Sequence, residues 1–177
     1  MTFSSAPHVI NIDSTGLGDR SYIAHDGTHA LVVDPQRDID RVEQVLAEHG
    51  LTVTHVAETH VHNDYVTGGL QLASRHGATY VVPADVDLDF DATPMGEGAS
   101  FEVGTMTVDV IHTPGHTPHH ISFAVRCADH PGVVFTGGSL LYGSVGRTDL
   151  VAPDLAVRQS HDQWHSVRRL AATLADE

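Results

Sequence analysis

The first third of the chain is written in short apolar, β-branched runs separated by polar residues. Residues 8–12, 21–25 and 29–33 are rich in Val, Ile and Tyr and read as strands. Asp26 and Gly27, between the last two runs, predict a hairpin turn. Asp34-Pro35 ends this block, because proline has no N–H to continue a ladder. The pattern then changes. Ile39, Val42, Val45 and Leu46 form one helical stripe, which predicts a helix capped by Asp38, running through His49 and closed by Gly50.

A buried strand over 53–57 follows, then a short helix over 68–76 with Leu70, Leu72 and Ala73 inward and Gly77 at its end. Residues 79–82 read as a strand stopped by Pro83, and the acidic stretch 85–91 as a solvated loop. A hairpin over 101–103 and 106–111 turns at Gly104-Thr105; strands over 120–126 and 133–136 and a last helix over 155–174 complete the pattern. Strands, then helices and strands mixed, indicate layered α/β packing and not a strict doubly wound sheet. With no internal repeat or linker, residues 1–177 read as a single domain.

Composition narrows the functional classes. Apolar residues are 41% and charged residues 18% of the 177, which is globular. Nine Lys+Arg against 23 Asp+Glu give a formal charge of −14, so nucleic acid and anionic membrane surfaces are not expected partners. A single cysteine, Cys127, allows no intrachain disulfide, and the N-terminus lacks the basic and apolar regions of a signal peptide. A cytoplasmic setting is the expectation.

The chemistry concentrates in His60-Val61-His62-Asn63-Asp64-Tyr65, directly after the 53–57 strand. Alternate histidines at a strand end can aim at one point, and imidazole and carboxylate are ligands of zinc and non-haem iron. A second loop, with His112, His116, His119 and His120, follows the 106–111 strand and can close the site from the other side.

Taken with Thr113-Pro114-Gly115-His116-Thr117 and Phe135-Thr136-Gly137-Gly138-Ser139-Leu140, this motif resembles the metallo-β-lactamase superfamily. The closer likeness is to its glyoxalase II and persulfide dioxygenase branch, and Gly146-Arg147-Thr148-Asp149 resembles the bacterial forms often fused to rhodanese domains. The resemblance implies an αββα sandwich of two mixed sheets flanked by helices. It also implies a shortened C-terminus, since the later histidine-bearing strand of many members has no counterpart here. His60, His62 and Asp64 match the motif His-x-His-x-Asp-His, and His116 its distal histidine. Tyr65 stands in place of the last histidine, and Gly138 in place of the bridging aspartate.

These departures remove ligands of a second metal. The resemblance therefore implies one metal, Fe(II) first and Zn(II) as the alternative, held by His60, His62 and His116. Asp64 and Tyr65 are the candidate catalytic residues: Asp64 as a base or metal-water orienter, or else a cap for the helix at Gly68-Gly69; Tyr65 as a donor to a bound oxygen or thiolate, or else a half-buried packing residue. The implied activity is a persulfide dioxygenase of sulfur metabolism acting on a small thiol persulfide such as glutathione persulfide. The alternatives are a glyoxalase II-like thioester hydrolase and a non-catalytic module serving a rhodanese-like partner. Elsewhere, His161 and His165 read as a solvated helix face, Cys127 as a buried thiol, and Arg147 with Asp149 as an ion pair.

Overall fold

The run 29–33 has almost no polar face because both faces of its strand are covered. Its residues alternate between two apolar clusters: Ala30 and Val32 lie in one, Leu31 and Val33 in the other. In this computed structural model, which describes residues 6–14, 20–62, 65–128, 130 and 132–173, that strand is β3 (His29–Val33). It follows β1 (His8–Asp13) and β2 (Arg20–His25). Then come α1 (Ile39–His49), β4 (Thr52–Ala57), α2 (Gly69–His76), β5 (Thr79–Pro83) and β6 (Thr93–Met95). The chain continues through β7 (Ser100–Val103), β8 (Met106–His112), β9 (Ile121–Cys127), β10 (Val133–Phe135) and α3 (Ala156–Thr173).

Six strands form a sheet in the order β1-β2-β3-β4-β5-β6, and four form a second in the order β10-β9-β8-β7. The sandwich is the one expected, except that only one of its two sheets is mixed. The first sheet is mixed: β1, β2 and β3 are antiparallel, whereas β3 through β6 run parallel. The second sheet is antiparallel throughout, because turns and loops and not helical crossovers join its strands. Ile39, Val42 and Leu46 of α1 and Leu72 and Ala73 of α2 cover one face of the first sheet. Its other face packs Leu31, Val33, Ala57 and Val81 against Val108, Val110, Ile121 and Phe123 of the second. No described helix is long and apolar enough to cross a membrane.

Some local expectations shift. Leu70 is 39% exposed and lines an open groove with Ala73, Ser74 and Tyr80, because Gly69, Leu72 and Ala73 make the buried face of α2. Asp38 sits at the N-cap of α1 without a side-chain cap bond. The β6 strand escaped the sequence pattern, being three residues long and centred on Pro94; an edge position tolerates the missing N–H. Asp26 does more than turn the β2–β3 hairpin. Its Oδ1 accepts from Thr28 and His29 N–H, and its Oδ2 from Thr105 N–H, which latches this hairpin to the β7–β8 turn.

Candidate metal centre

The parallel strands β3, β4 and β5 release their C-terminal ends at one edge of the sheet. Asp34 leaves β3 in left-handed backbone, φ 50°, a conformation that aspartate tolerates better than most residues. Glu58, Thr59, His60 and His62 leave β4 beside it. The second sheet contributes the 113–120 loop between β8 and β9, with His116 and His120, and the 136–140 loop after β10. The two sheets are stitched here: the Ile121 N–H donates to the Thr59 carbonyl at 2.9 Å.

Four imidazoles cluster at this junction. The His60 ring centroid lies 4.1 Å from that of His62, 4.7 Å from His116 and 5.1 Å from His120. All four rings have one nitrogen pinned by a non-histidine partner, His120 by the Thr113 hydroxyl 2.9 Å from its Nδ1. The His116 Nδ1 lies 2.9 Å from the Arg147 carbonyl, which can only accept, so Nδ1 carries the proton and Nε2 a lone pair. The Thr59 hydroxyl donates to Asp34 Oδ2 and therefore accepts from His60 Nδ1, 2.9 Å away, leaving His60 Nε2 with its lone pair. His62 Nε2 lies 3.2 Å from Asp34 Oδ1, 3.3 Å from Glu58 Oε2 and 2.9 Å from the Tyr65 hydroxyl, so Nδ1 is its remaining nitrogen.

Charge in this site follows from burial and neighbours. Burial pushes His60 down to about 3, helped by the nearby His62 charge, and pushes His120 well below its ordinary value; both rings are neutral. Burial would lower His62 too, but the Asp34 carboxylate beside it, with Glu58, raises it to about 10. Burial likewise opposes charge on Asp34, yet His62 and the Thr59 N–H hold it below the usual carboxylate range. Burial and the Asp34 charge raise Glu58 instead. Asp34 is thus the fixed negative charge, and Glu58 the carboxyl more inclined to keep its proton.

Asp64 lies outside the described residues. Tyr65 is half-buried, with its hydroxyl on His62 and 3.4 Å from the Asp34 carbonyl. The helix start at Gly69 is capped by Thr67, whose Oγ1 accepts the Gly69 N–H at 2.9 Å. Ser139 is fully buried and turned to Gln163 of α3, and Arg147 pairs with both oxygens of Asp149 at 2.8 and 2.9 Å. Cys127 is buried, and His161 and His165 are exposed on α3. Reading the sequence did not single out Asp34, Glu58 or Thr59, nor commit to His120. For Glu58 the signal was at hand, an acid two residues before the first histidine.

The imidazoles suit a metal ion. Histidine ligates as a neutral ring with one nitrogen anchored and the other free, and such anchoring fixes tautomer and aim; His62, which the two carboxylates hold protonated, would release its Nδ1 proton to a bound metal. His60, His62 and His116 all carry that anchor. A carboxylate at 138 has no room in this arrangement: a Cβ on Gly138 would lie 2.2 Å from His116 Cδ2 and 2.6 Å from its Nε2. Among the described residues, the donor atoms that already lie within 4.8 Å of one another belong to Asp34, Glu58 and His62. Most of those oxygens are occupied: Asp34 by Thr59 and His62, Glu58 Oε1 by Thr67 and by Tyr80 at 3.1 Å. That group serves better as the support of His60 and His62 than as a primary metal site.

The chain is similar to several known proteins. It is 32% identical over 163 residues to a hydroxyacylglutathione hydrolase of Rhizobium johnstonii, covering 86% of this chain and 59% of that protein. It is also 32% identical over 156 residues to an uncharacterized protein of Mycobacterium leprae, covering 70% and 68% respectively. Among solved structures, a metallo-β-lactamase from Staphylococcus aureus superposes with TM-score 0.86 at 27% identity, over 94% of this chain and 53% of that one. ETHE1 from Myxococcus xanthus superposes with TM-score 0.80 at 31% identity, over 96% and 72%. The chain thus spans less than two thirds of the length of the hydroxyacylglutathione hydrolase it matches. These relatives fit the glyoxalase II and persulfide dioxygenase-like branch, and the family's sequence profile matches residues 15–176: the chain belongs to the metallo-β-lactamase superfamily.

Proposed function

We propose that this chain acts on one metal ion as a persulfide dioxygenase-like enzyme of sulfur metabolism, with Fe(II) as the working metal. The observation that carries this reading is the set of anchored imidazoles at His60, His62 and His116, beside a Gly138 that offers no bridging carboxylate. A second metal would lack its bridging carboxylate, whereas three imidazoles can hold one ion. His60 and His116 would hold the ion through Nε2, and His62 would complete the set through Nδ1 with its Nε2 kept on Asp34. When bound, iron at an open histidine site supplies positions for dioxygen and for a sulfur ligand. Asp34 fixes His62 directly and His60 through Thr59, and Tyr65 closes the far side of His62. Overall a thiol persulfide, dioxygen and water yield the thiol and sulfite.

The test is oxygen uptake by protein loaded anaerobically with Fe(II) and given glutathione persulfide. One sulfite per dioxygen, lost in His60→Ala and His116→Ala, supports the proposal; no uptake by iron-loaded protein overturns it. A second reading, metal-assisted thioester hydrolysis, has its support in the hydroxyacylglutathione hydrolase relative. Zinc-loaded protein that cleaves S-lactoylglutathione and ignores persulfide would establish that reading instead.

A further inference from the structure

The buried face of α3 is polar where a packing helix is normally apolar. Gln159, Gln163, Ser166 and Leu170 make that face, and three of the four carry a polar group into the interior. Each of those groups goes to a backbone carbonyl beside the histidine site. The Gln159 Nε2 donates to the Gly115 carbonyl at 3.2 Å, and the Ser166 hydroxyl to the Pro114 carbonyl at 2.7 Å. The Gln163 Nε2 donates to the Ser139 carbonyl and, at 3.0 Å, to the Ser139 hydroxyl. Elsewhere on α3 the Ser160 hydroxyl lies 2.8 Å from that of Thr148, next to the Arg147 carbonyl that receives His116 Nδ1–H. One helix thus meets the three segments around His116: 114–115, which precedes it, 138–139, whose Gly138 lies against its ring, and 147–148, which anchors its Nδ1.

Gln163 touches two of those segments at once. Its amide reaches Ser139, while a Cβ on Gly115, at φ 141°, would lie 2.4 Å from Gln163 Cα, so the loop backbone rests directly on the helix. A carbonyl can only accept, so the NH2 of the amide must face Ser139. The Gln163 Oε1 is left buried without a hydrogen-bond partner among the described residues, and Gln159 Oε1 is in the same state. Leucine at either place would avoid that cost and still cover the interior. What leucine could not supply is direction, because apolar packing has no preferred angle and a hydrogen bond does. Such departures from local rules gather at functional sites. We infer that Gln163 is a positioning residue: by fixing Gly115 and Ser139 on one helix, it sets where the His116 ring stands against Gly138 and, 4.7 Å away, His60. The placement is a property of the metal-free chain; its effect on an ion rests on the metal half of the proposed function.

The test uses Gln163→Met, which keeps the reach and helix preference of glutamine and removes the amide. In metal-free protein the His116 Nδ1–H proton is followed by NMR, identified by its absence in His116→Ala, with melting recorded beside it. Co(II) affinity is then measured by chelator competition in wild type, Gln163→Met, His116→Ala and the double variant. The expected result is a shifted or exchange-broadened His116 signal in Gln163→Met, with melting near wild type. Affinity should fall by about 10-fold, with no further loss when Gln163→Met is added to His116→Ala. An unchanged His116 signal overturns the inference, whether or not the protein binds metal. So does an affinity loss of equal size in both backgrounds, which makes Gln163 a general packing residue. Should Gln163→Met not fold, Gln159→Met lifts only the Gly115 bond and is judged by the same signal. A wild type that binds no Co(II), with the His116 signal moved in the variant, overturns the metal reading and supports the positioning role.

Discussion

Thr59 holds both oxygens of the Asp34 carboxylate: its backbone N–H donates to Oδ1 at 2.7 Å and its hydroxyl to Oδ2 at 2.8 Å. Because that hydroxyl also receives the His60 Nδ1, a charge on one strand end sets the aim of a ring on the next. Thr59→Val keeps the shape and removes the relay. Left behind are a buried carboxylate oxygen and a buried ring nitrogen without partners, so stability should fall by about 1–3 kcal/mol. Metal affinity should fall by roughly 10–100-fold, the usual effect of losing an outer support. Urea denaturation and chelator competition measure the two effects, and Thr59→Ser should restore both.

A bound ion stabilises the fold that holds it and not the unfolded chain. Fe(II) or Zn(II) at about 100 times its dissociation constant should add about 2.7 kcal/mol, and a chelator should remove it. In His116→Ala this metal-dependent increment should vanish, while metal-free stability changes little because His116 is only half-buried. Thermal melting with and without ion reads the difference directly. An equal increment in wild type and variant would place the ion elsewhere.

How much of this could be read from the chain depended on whether the partners were neighbours in sequence. The alternation at 29–33 and the stripe at Ile39, Val42 and Leu46 announced their elements, because each pattern is local. His60, His62 and His116 stood out through compact motifs. Asp34 did not: it meets Thr59 from 25 residues away and reads as a strand-ending Asp-Pro. His120 was hidden at a predicted strand start, where alternation gave it no face. The strand begins instead at Ile121, and His120 belongs to the loop, free to turn inward. Leu70 misled for the opposite reason, since eight residues of α2 are too few for hydrophobicity alone to fix the buried face.

Gly137 is required by contact as well as by backbone. Its φ is 45°, and a Cβ would lie 2.3 Å from Thr59 Oγ1. Gly137→Ala therefore meets a left-handed penalty of about 1–2 kcal/mol and also presses on the Thr59 hydroxyl. The expected outcome is a lower urea midpoint together with weakened metal binding. Loss of stability with metal affinity intact would show that the 136–140 loop yields without disturbing Thr59 and His60.

Far from the histidines, Asp26 should give the fold a measurable acid dependence. Burial opposes its charge, but N–H bonds from His29, Thr105 and Thr28 outweigh burial and hold its pKa at about 2, below the 3.8 of a free aspartate. The unfolded chain therefore takes up the proton first as pH falls. The contribution is fully present above about pH 4 and fades as pH falls through about 2. Asp26→Asn keeps the size and one acceptor but removes the charge that the three N–H groups converge on. At neutral pH the variant should be less stable by about 1 kcal/mol, a value discounted for solvent screening at this turn. The gap should close as both proteins are taken towards pH 2, because wild type then loses the same charge. Urea midpoints for the pair, measured across that range, read the gap; a gap that does not narrow would mean that the latch between the two hairpins works through shape and not through charge.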